Sequence, residues 1–322
     1  MKKVLVILGP TATGKTDLGL FLAKKFNGEL VSCDSRQVYR GLDIGTGKEA
    51  SKKLEVKKQK CFWEIDGIKT WMYDVADPQT RYAVKDYVGA ACRIIDEITQ
   101  KGKLPIVVGG TGLYLRGLLD GFSNLAIPVD EKLRRKLQGL SLHELQKKLQ
   151  ELSPSRWEKM NDSDRSNPRR LLRSIELVIM YGFIDQQVKY RGLNQRFKIL
   201  KIGLTVPREV LNSRIDLRLK ARLDQGLVEE AKKLQAEGLS LERMKELGLE
   251  YSGLARLLGK EISREEMIKI LSLKIHQYAK RQVTWFRKEQ DVNWFDITKD
   301  NFALQVEKCV REWYYSVDEQ TD

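Results

Sequence analysis

Residues 9–16 have the types and spacing needed to bind phosphate. They read Gly-Pro-Thr-Ala-Thr-Gly-Lys-Thr and match the pattern G-x-x-x-x-G-K-[ST]. In that pattern glycines let backbone N–H groups approach phosphate oxygens, and the lysine neutralises charge beside a helix N-terminus. ATP, GTP and a plain diphosphate offer similar oxygens, so the stretch predicts a phosphate loop without identifying its ligand. The expected contacts are Gly9, Pro10, Thr11, Ala12, Thr13, Gly14, Lys15 and Thr16, with the Thr16 hydroxyl on magnesium.

A carboxylate follows a second stretch that reads as a strand. Asp34 comes directly after residues 29–33, and Arg36 and Gln37 lie just beyond it. Open α/β sheets bind their ligands at the carboxyl ends of the strands. The cluster suits a general base beside groups that hydrogen-bond to a nucleobase.

A hydroxyl follows a third apolar stretch. Residues 104–108 run into Gly109-Gly110-Thr111, where many nucleotide hydrolases and kinases carry an aspartate that positions magnesium. The glycines allow a turn with close backbone approach, and Thr111 offers a hydroxyl in place of the carboxylate. An ordinary glycine-rich turn is the alternative interpretation.

Strands and helices of an α/β fold can bring these groups together. The apolar run at 4–8 ends at Gly9-Pro10, which is typical of a strand buried on both faces of a parallel sheet. Apolar residues at helical spacing predict a helix directly after the phosphate loop and another from Val84 to Ile98. Residues 197–204 read as a returning strand, and everything after Pro207 reads as helical.

A helical insertion is predicted between the two parts of this sheet. Residues 122–196 lack strand patterns and hold 15 Lys or Arg against 9 Asp or Glu, so a basic face could contact phosphates. The predicted fold class is α/β, a P-loop NTPase-like parallel sheet core flanked by helices, with a helical insertion domain. The core domain is predicted at 1–121 and 197–322, and the insertion at 122–196.

Composition narrows the partners. The 322 residues include 58 Lys or Arg against 44 Asp or Glu, a net charge of +14 that favours a polyanionic partner, although a merely basic soluble protein would look the same. The four cysteines are far apart and there are two histidines, so neither disulfides nor a zinc site is expected. No apolar run approaches the ~20 residues that span a bilayer. We expect a monomer in the cytoplasm.

Four motifs in the same order resemble those of the tRNA dimethylallyltransferases, the IPP transferase family. They occupy residues 9–16, 34–46, 109–114 and 279–286, the last reading Ala-Lys-Arg-Gln-Val-Thr-Trp-Phe. The resemblance runs from residue 1 to about 290, and weaker pieces at Arg214-Ile215 and Gly226-Leu227 also fit.

This resemblance implies transfer of a dimethylallyl group from dimethylallyl diphosphate to N6 of the adenosine 3′ of the anticodon (position 37) in tRNA. Lys15 and Thr16, with a magnesium ion, would stabilise charge on the departing diphosphate. Asp34 would take the proton from the attacking amine, and Thr111 would touch the adenosine region. Either Arg214 or Arg218 would contact the diphosphate, and which one is left open.

The resemblance also implies a set of residues that bind tRNA at its anticodon stem-loop. The set is Asp34, Ser35, Arg36, Gln37, Thr111, Arg134, Arg169, Arg170, Arg173, Lys280 and Arg281. Without the family, the insertion arginines would read as a solvated helix face, and the aromatics Tyr278, Trp285 and Phe286 between the basic residues read as core.

The sequence departs from the family's pattern in several places. Residues 47–72 lack the usual Ala-Lys-Pro and paired-histidine features, and Arg169 replaces a glutamine. We expect the adenosine to flip into a channel between core and insertion. The rival functions are a small-molecule P-loop kinase, with the insertion as a lid over ATP, and a non-catalytic RNA-binding protein.

Overall fold

The chain divides into two compact units. The computed structural model describes residues 2–48, 54–121, 129–137, 139–182 and 192–316. The core unit comprises Met1–Asp120 and Gly192–Asp322, and the insertion unit comprises Gly121–Arg191. The start predicted for the insertion, residue 122, lies outside the described residues.

One eight-stranded sheet forms the centre of the core unit. Its strands, in chain order, are β1 (Lys3–Leu8), β2 (Gly28–Ser32), β3 (Val56–Gln59), β4 (Phe62–Ile65), β5 (Ile68–Trp71), β6 (Leu104–Gly109), β7 (Lys198–Thr205) and β8 (Val292–Asp296). Their order across the sheet is β3-β4-β5-β2-β6-β1-β7-β8. The six neighbouring strands β5-β2-β6-β1-β7-β8 pair in parallel, and the predicted α/β class is confirmed. The strands predicted at 4–8, 29–33, 104–108 and 197–204 are also present.

Helices account for most of the remaining chain. In chain order they are α1 (Lys15–Lys25), α2 (Val84–Gln100), α3 (Gly112–Leu119), α4 (Glu131–Leu137), α5 (Leu142–Leu152), α6 (Pro154–Glu158), α7 (Asp162–Arg165), α8 (Pro168–Tyr181), α9 (Arg208–Asp224), α10 (Leu227–Ala236), α11 (Leu241–Leu247), α12 (Leu249–Leu258), α13 (Arg264–Phe286) and α14 (Phe302–Tyr315). The helices predicted after the phosphate loop and at 84–98 are confirmed as α1 and α2. None of the helices within the described ranges is long and apolar enough to cross a membrane.

The prediction that everything after Pro207 is helical is wrong. β8 lies there as an edge strand and pairs in parallel with β7. Two of its five residues are exposed and three are half-buried, so it lacks the continuous apolar run of a strand buried on both faces, and its pairing partner lies far away in the sequence. Gly203 of β7 makes room for it, because a Cβ there would lie 2.5 Å from the Trp294 ring.

Residues 56–71 add three strands that the sequence did not predict. β3 and β4 pair antiparallel, as do β4 and β5, and they extend the sheet on the side of β2. Lys48, which comes before these strands in the sequence, is buried. Its amine donates to Asp43 (2.9 Å), Asp74 (2.6 Å) and the Tyr39 carbonyl (2.6 Å). A lysine buried this completely must be paired, so the lysines of this region do not all face solvent.

The insertion unit has its own small core. Buried leucine and isoleucine side chains of α4, α5 and α8 pack with Met160, and Trp157 of α6 packs against them, so these helices share one apolar cluster. Capping side chains start these helices: Ser141 accepts from the N–H of Glu144, and Asn167 accepts from the N–H groups of Arg169 and Arg170. The described part of the insertion is helical, as predicted.

Candidate active site

The phosphate loop has the backbone geometry of an anion site. It follows β1 directly, and α1 begins at Lys15. Ala12 (φ 64°) and Gly14 (φ 80°) adopt left-handed conformations, which help point successive N–H groups at one anion. A Cβ on Gly9 would lie 2.6 Å from the Leu204 carbonyl oxygen, so glycine is required where the loop leaves the sheet. The loop presents N–H groups and a helix N-terminus together, as phosphate binding requires.

Lys15 supplies a positive charge to this loop. Its Nζ donates to the Pro10 carbonyl at 2.7 Å, and the Thr13 hydroxyl donates to the same oxygen at 2.9 Å. Burial, and after it the charge of Arg218, lower the pKa of Lys15 to about 7, while Asp34 acts in the opposite direction. An anion bound at the loop would favour the charged amine, so its binding would raise this pKa.

Two arginines of α9 also reach the phosphate loop. Arg214 Nε donates to the Ala12 carbonyl at 2.7 Å, and Arg218 Nη1 donates to the Thr11 hydroxyl at 3.1 Å. Arg214 is exposed, whereas Arg218 is half-buried. Burial, and then the charge of Arg222, lower the pKa of Arg218 to about 9. Both candidates from the sequence therefore stand at the loop, with Arg218 in the less solvated position.

Asp34 and Thr111 meet at one edge of the sheet. Asp34 follows β2 and Thr111 follows β6, and these strands are parallel neighbours. Asp34 Oδ1 accepts from the N–H of Arg36 at 2.8 Å, and Thr111 Oγ1 accepts from the N–H of Ser35 at 3.1 Å. The Thr111 N–H donates to the Cys33 carbonyl at 3.3 Å. The carboxylate and the hydroxyl, separated in sequence, are joined through a single turn.

Gln37 makes its contacts within the protein. Its Oε1 accepts from the Ser32 hydroxyl at 2.7 Å, and its Nε2 donates to the carbonyls of Thr46 (3.3 Å) and Gly47 (3.4 Å). Arg36, its neighbour, lines the pocket. The structure thus gives Gln37 a role in holding the loop at 46–47.

Glu230 on α10 anchors the same loop, which the sequence reasoning did not anticipate. Its carboxylate accepts from the N–H groups of Asp43 (2.8 Å), Ile44 (2.7 Å) and Gly45 (3.0 Å), and from the Tyr251 hydroxyl (2.6 Å). Such bonds to an ionised acceptor are among the stronger ones in proteins. The weak family match at Gly226-Leu227 was the one sequence signal near it.

These elements enclose a pocket of about 520 Å³ within the core unit. Its lining includes the phosphate loop, Asp34, Arg218 and Arg222. Apolar residues also line it, namely Ile44, Leu217, Ala221, Leu249 and Ile275. A lining that combines cationic groups, apolar side chains and a carboxylate suits a short hydrocarbon attached to a diphosphate.

The long helix α13 closes part of this pocket. Phe286 is buried, as predicted, whereas Tyr278 lines the pocket near the Thr111 side chain. Burial, and then the charge of Asp34, raise the pKa of Tyr278. Lys280 and Arg281 are exposed.

The four arginines predicted to bind tRNA in the insertion unit differ in their partners. Arg134 and Arg173 both donate to Glu176, a carboxylate with no exposed surface that also accepts from the N–H of Asp130 at 2.6 Å. Arg170 pairs with Asp164 at 2.5 Å. Arg169 is exposed at the start of α8.

Comparison with known proteins identifies the family of this chain. The sequence model of the family described as IPP transferase matches residues 37–289, and that of Isopentenyl transferase matches residues 2–69. The tRNA dimethylallyltransferase 1 of Geotalea daltonii is 39% identical over 304 residues, which are 93% of this chain and 92% of the relative. The tRNA dimethylallyltransferase of Bacillus mycoides is 38% identical over 303 residues, 92% of this chain and 90% of that one.

Solved structures agree with this result. The full-length tRNA isopentenylpyrophosphate transferase of Bacillus halodurans is similar with a TM-score of 0.68 and 33% identity, over 97% of this chain and 96% of that one. A eukaryotic dimethylallyltransferase acting on tRNA is similar with a TM-score of 0.77 and 25% identity, over 99% of this chain and 82% of that one. Sequence and fold are thus shared along nearly the whole chain, and the protein belongs to the IPP transferase family.

Proposed function

We propose that this protein is a tRNA dimethylallyltransferase, an enzyme that transfers the dimethylallyl group of dimethylallyl diphosphate to N6 of adenosine 37 in tRNA. The observation that carries the proposal is the pocket in which Lys15, Arg218 and the phosphate loop lie beside Asp34. Relatives that are 39% and 38% identical over nearly the whole chain are named for this activity, which supports the same conclusion.

The pocket offers a group for each part of this reaction. The N6 nitrogen forms a bond to the first carbon of the dimethylallyl group, the carbon–oxygen bond to diphosphate breaks, and N6 loses a proton. Asp34 accepts that proton, directly or through water. Lys15, Arg218 and the loop N–H groups stabilise the charge that develops on the diphosphate. The Thr111 hydroxyl and Tyr278 border the acceptor side.

A magnesium ion fits this site as a partner of the diphosphate. Among the described residues, no group of three or more His, Cys, Asp or Glu could hold a metal by itself. Magnesium commonly binds through one or two protein ligands, several waters and substrate phosphate oxygens. Thr16 lines the pocket, and its hydroxyl would be such a ligand. The ion would supply further positive charge to the leaving group.

A set of polar and basic residues is proposed to hold the anticodon stem-loop. Arg36 and Gln37 line the pocket, with Ser35 and Thr111 beside them, and Lys280 and Arg281 are exposed on α13. Flipping the adenosine out of its stack costs a few kcal/mol, which backbone contacts of this kind must offset. We further propose that the enzyme works as a cytoplasmic monomer, with Arg134, Arg169, Arg170 and Arg173 of the insertion unit contacting tRNA.

Arg170→Ala tests the role of the insertion unit. Because Arg170 is half-exposed and assigned to a phosphate, its loss should weaken tRNA binding and reduce the slope of log K against log salt by about one. Filter binding between low and moderate salt measures this slope. Lys147→Ala removes the same charge from the same unit without an assigned contact, and an equal effect in both variants would contradict the role of Arg170.

The whole proposal is tested by incubating the purified protein with labelled dimethylallyl diphosphate, magnesium and unmodified tRNA. We expect label in the RNA at adenosine 37 and release of diphosphate. Replacing that adenosine by guanosine in the transcript should abolish labelling. Consumption of ATP without RNA labelling would instead identify a small-molecule kinase, and tRNA binding without either reaction would identify a non-catalytic protein.

A further inference from the structure

The side chain of Gln282 on α13 joins two loops of the pocket. Its Oε1 accepts from the Thr11 N–H of the phosphate loop at 2.8 Å, and its Nε2 donates to the Gly110 carbonyl at 2.8 Å. Gln282 is 6% exposed, and it is separated from Thr11 by 271 residues of sequence. One carboxamide therefore spans the gap between the diphosphate side and the acceptor side of the pocket.

A carboxamide can make both bonds, because one end accepts and the other donates, whereas an ionised carboxylate can only accept. A glutamate would turn an oxygen toward the Gly110 carbonyl, and a methionine of similar length would make neither bond. The amide orientation is fixed by its two partners, since the N–H of Thr11 cannot accept and the carbonyl of Gly110 cannot donate.

The glycine at position 110 is explained by the same contact. A Cβ there would lie 2.3 Å from Gln282 Nε2, so the two atoms would clash unless the amide moved. Thr111 is the next residue, and its hydroxyl accepts from the N–H of Ser35, which follows Asp34. The Gly110 carbonyl is thus one residue from the group that borders the acceptor.

Helix α13 approaches the acceptor turn at a second point. Ile275, Tyr278 and Gln282 are spaced by three and four residues, so they share one face of the helix, and that face lines the pocket. Tyr278 lies near the Thr111 side chain, one turn before Gln282. A single rigid helix therefore contacts both reacting sides.

We propose that Gln282 is a positioning residue that fixes the phosphate loop against the Gly110–Thr111 turn and so aligns the two reactants. This inference rests on the proposed transferase function, in which the donor is held by one loop and the adenine meets the other. The donor contacts the phosphate loop, and the adenine contacts the turn that carries Thr111. Loss of the link should therefore misalign the bound pair while leaving the binding of each substrate nearly unchanged.

The test is steady-state transfer of labelled dimethylallyl to tRNA by Gln282→Met. Since small misplacements of reacting groups are costly, kcat should fall by about 10- to 100-fold. KM for each substrate should stay within about threefold, because uniform binding is retained. Gln277→Met, an exposed glutamine on the same helix, is the matched control and should keep wild-type kcat.

Gly110→Ala provides an independent second variant, because it keeps Gln282 but displaces its amide. If both variants act by breaking one link, the double variant should lose no more kcat than the worse single variant. Losses that multiply, or a Gln282→Met enzyme with wild-type kcat, would overturn the proposal. Should Gln282→Met fold poorly in thermal melts, Gly110→Ala decides the question by the same kinetic criterion.

A readout that needs no turnover separates this inference from the function on which it rests. Hydrogen–deuterium exchange of the peptide that contains Thr11 should be faster in Gln282→Met than in the wild-type protein, because the amide loses its acceptor. Unchanged exchange would overturn the link itself. A wild-type protein that labels no RNA would instead overturn the proposed transferase function, whatever the exchange result.

Discussion

Asp34→Asn should lower kcat for dimethylallyl transfer by about 10²- to 10⁴-fold, the range expected for loss of a general base. Asparagine has nearly the same shape, and its Oδ1 can still accept the Arg36 N–H, so the turn at the end of β2 should persist. What it lacks is the ability to take the N6 proton. Single-turnover transfer of label to tRNA measures the chemical step directly.

Binding measurements distinguish a catalytic role of Asp34 from a structural one. The affinity for tRNA, measured by filter binding, should stay close to that of the wild-type enzyme. Asp77→Asn is the matched control, because Asp77 is an exposed aspartate that likewise accepts a backbone N–H two residues ahead. A single-turnover rate for Asp34→Asn equal to that of Asp77→Asn would remove Asp34 from the proton transfer.

Lys15→Met should lower kcat by about 10²- to 10³-fold, comparable to removing a donor that stabilises developing charge. Lys15 is half-buried beside the loop N–H groups, where its charge is less screened by water than at the surface. Lys25→Met removes an exposed lysine from the same helix and should leave kcat unchanged. Equal rates for the two variants would exclude Lys15 from leaving-group stabilisation.

The lowered pKa of Lys15 also predicts how diphosphate binding depends on pH. Below pH 7 the amine is already charged, whereas above about pH 7 it must take up a proton when the anion binds. Affinity for inorganic pyrophosphate should therefore fall as pH rises from 7 to 8. Calorimetry in two buffers of different ionisation enthalpy should show proton uptake at pH 8 that exceeds that of Lys15→Met. Equal uptake in both would contradict this pKa.

The phosphate loop and its surroundings illustrate what a local pattern can determine. A buried run at 4–8, a glycine-rich turn and a helical repeat are adjacent in sequence, so β1, the loop and α1 follow from nearest neighbours alone. Asp34 and Thr111 were also found, because each lies within a few residues of the end of a strand. Parallel neighbouring strands bring their carboxyl ends to one edge, and this rule placed the two side chains together.

Other features depended on pairing with distant segments. β8 pairs with β7, and β5 pairs with β2, across long stretches of sequence, while β3 and β4 join the sheet through β5. Each of these strands is only four or five residues long, too short to give a clear period. Their positions became visible only when the sheet was assembled. The same holds for Lys48, whose burial follows from the carboxylates that surround it.

The family, the α/β class, and the loop and carboxylate proposed to carry the chemistry could all be predicted from the sequence. That Gln282 spans two loops, that Glu230 anchors a third, and that Arg218 is less solvated than Arg214 beside the phosphate loop became apparent only in the folded chain. These contacts join a side chain to a group up to 271 residues away. Such a contact depends on where the fold places the backbone, so the residue types next to Gln282 or Glu230 in the sequence do not predict it.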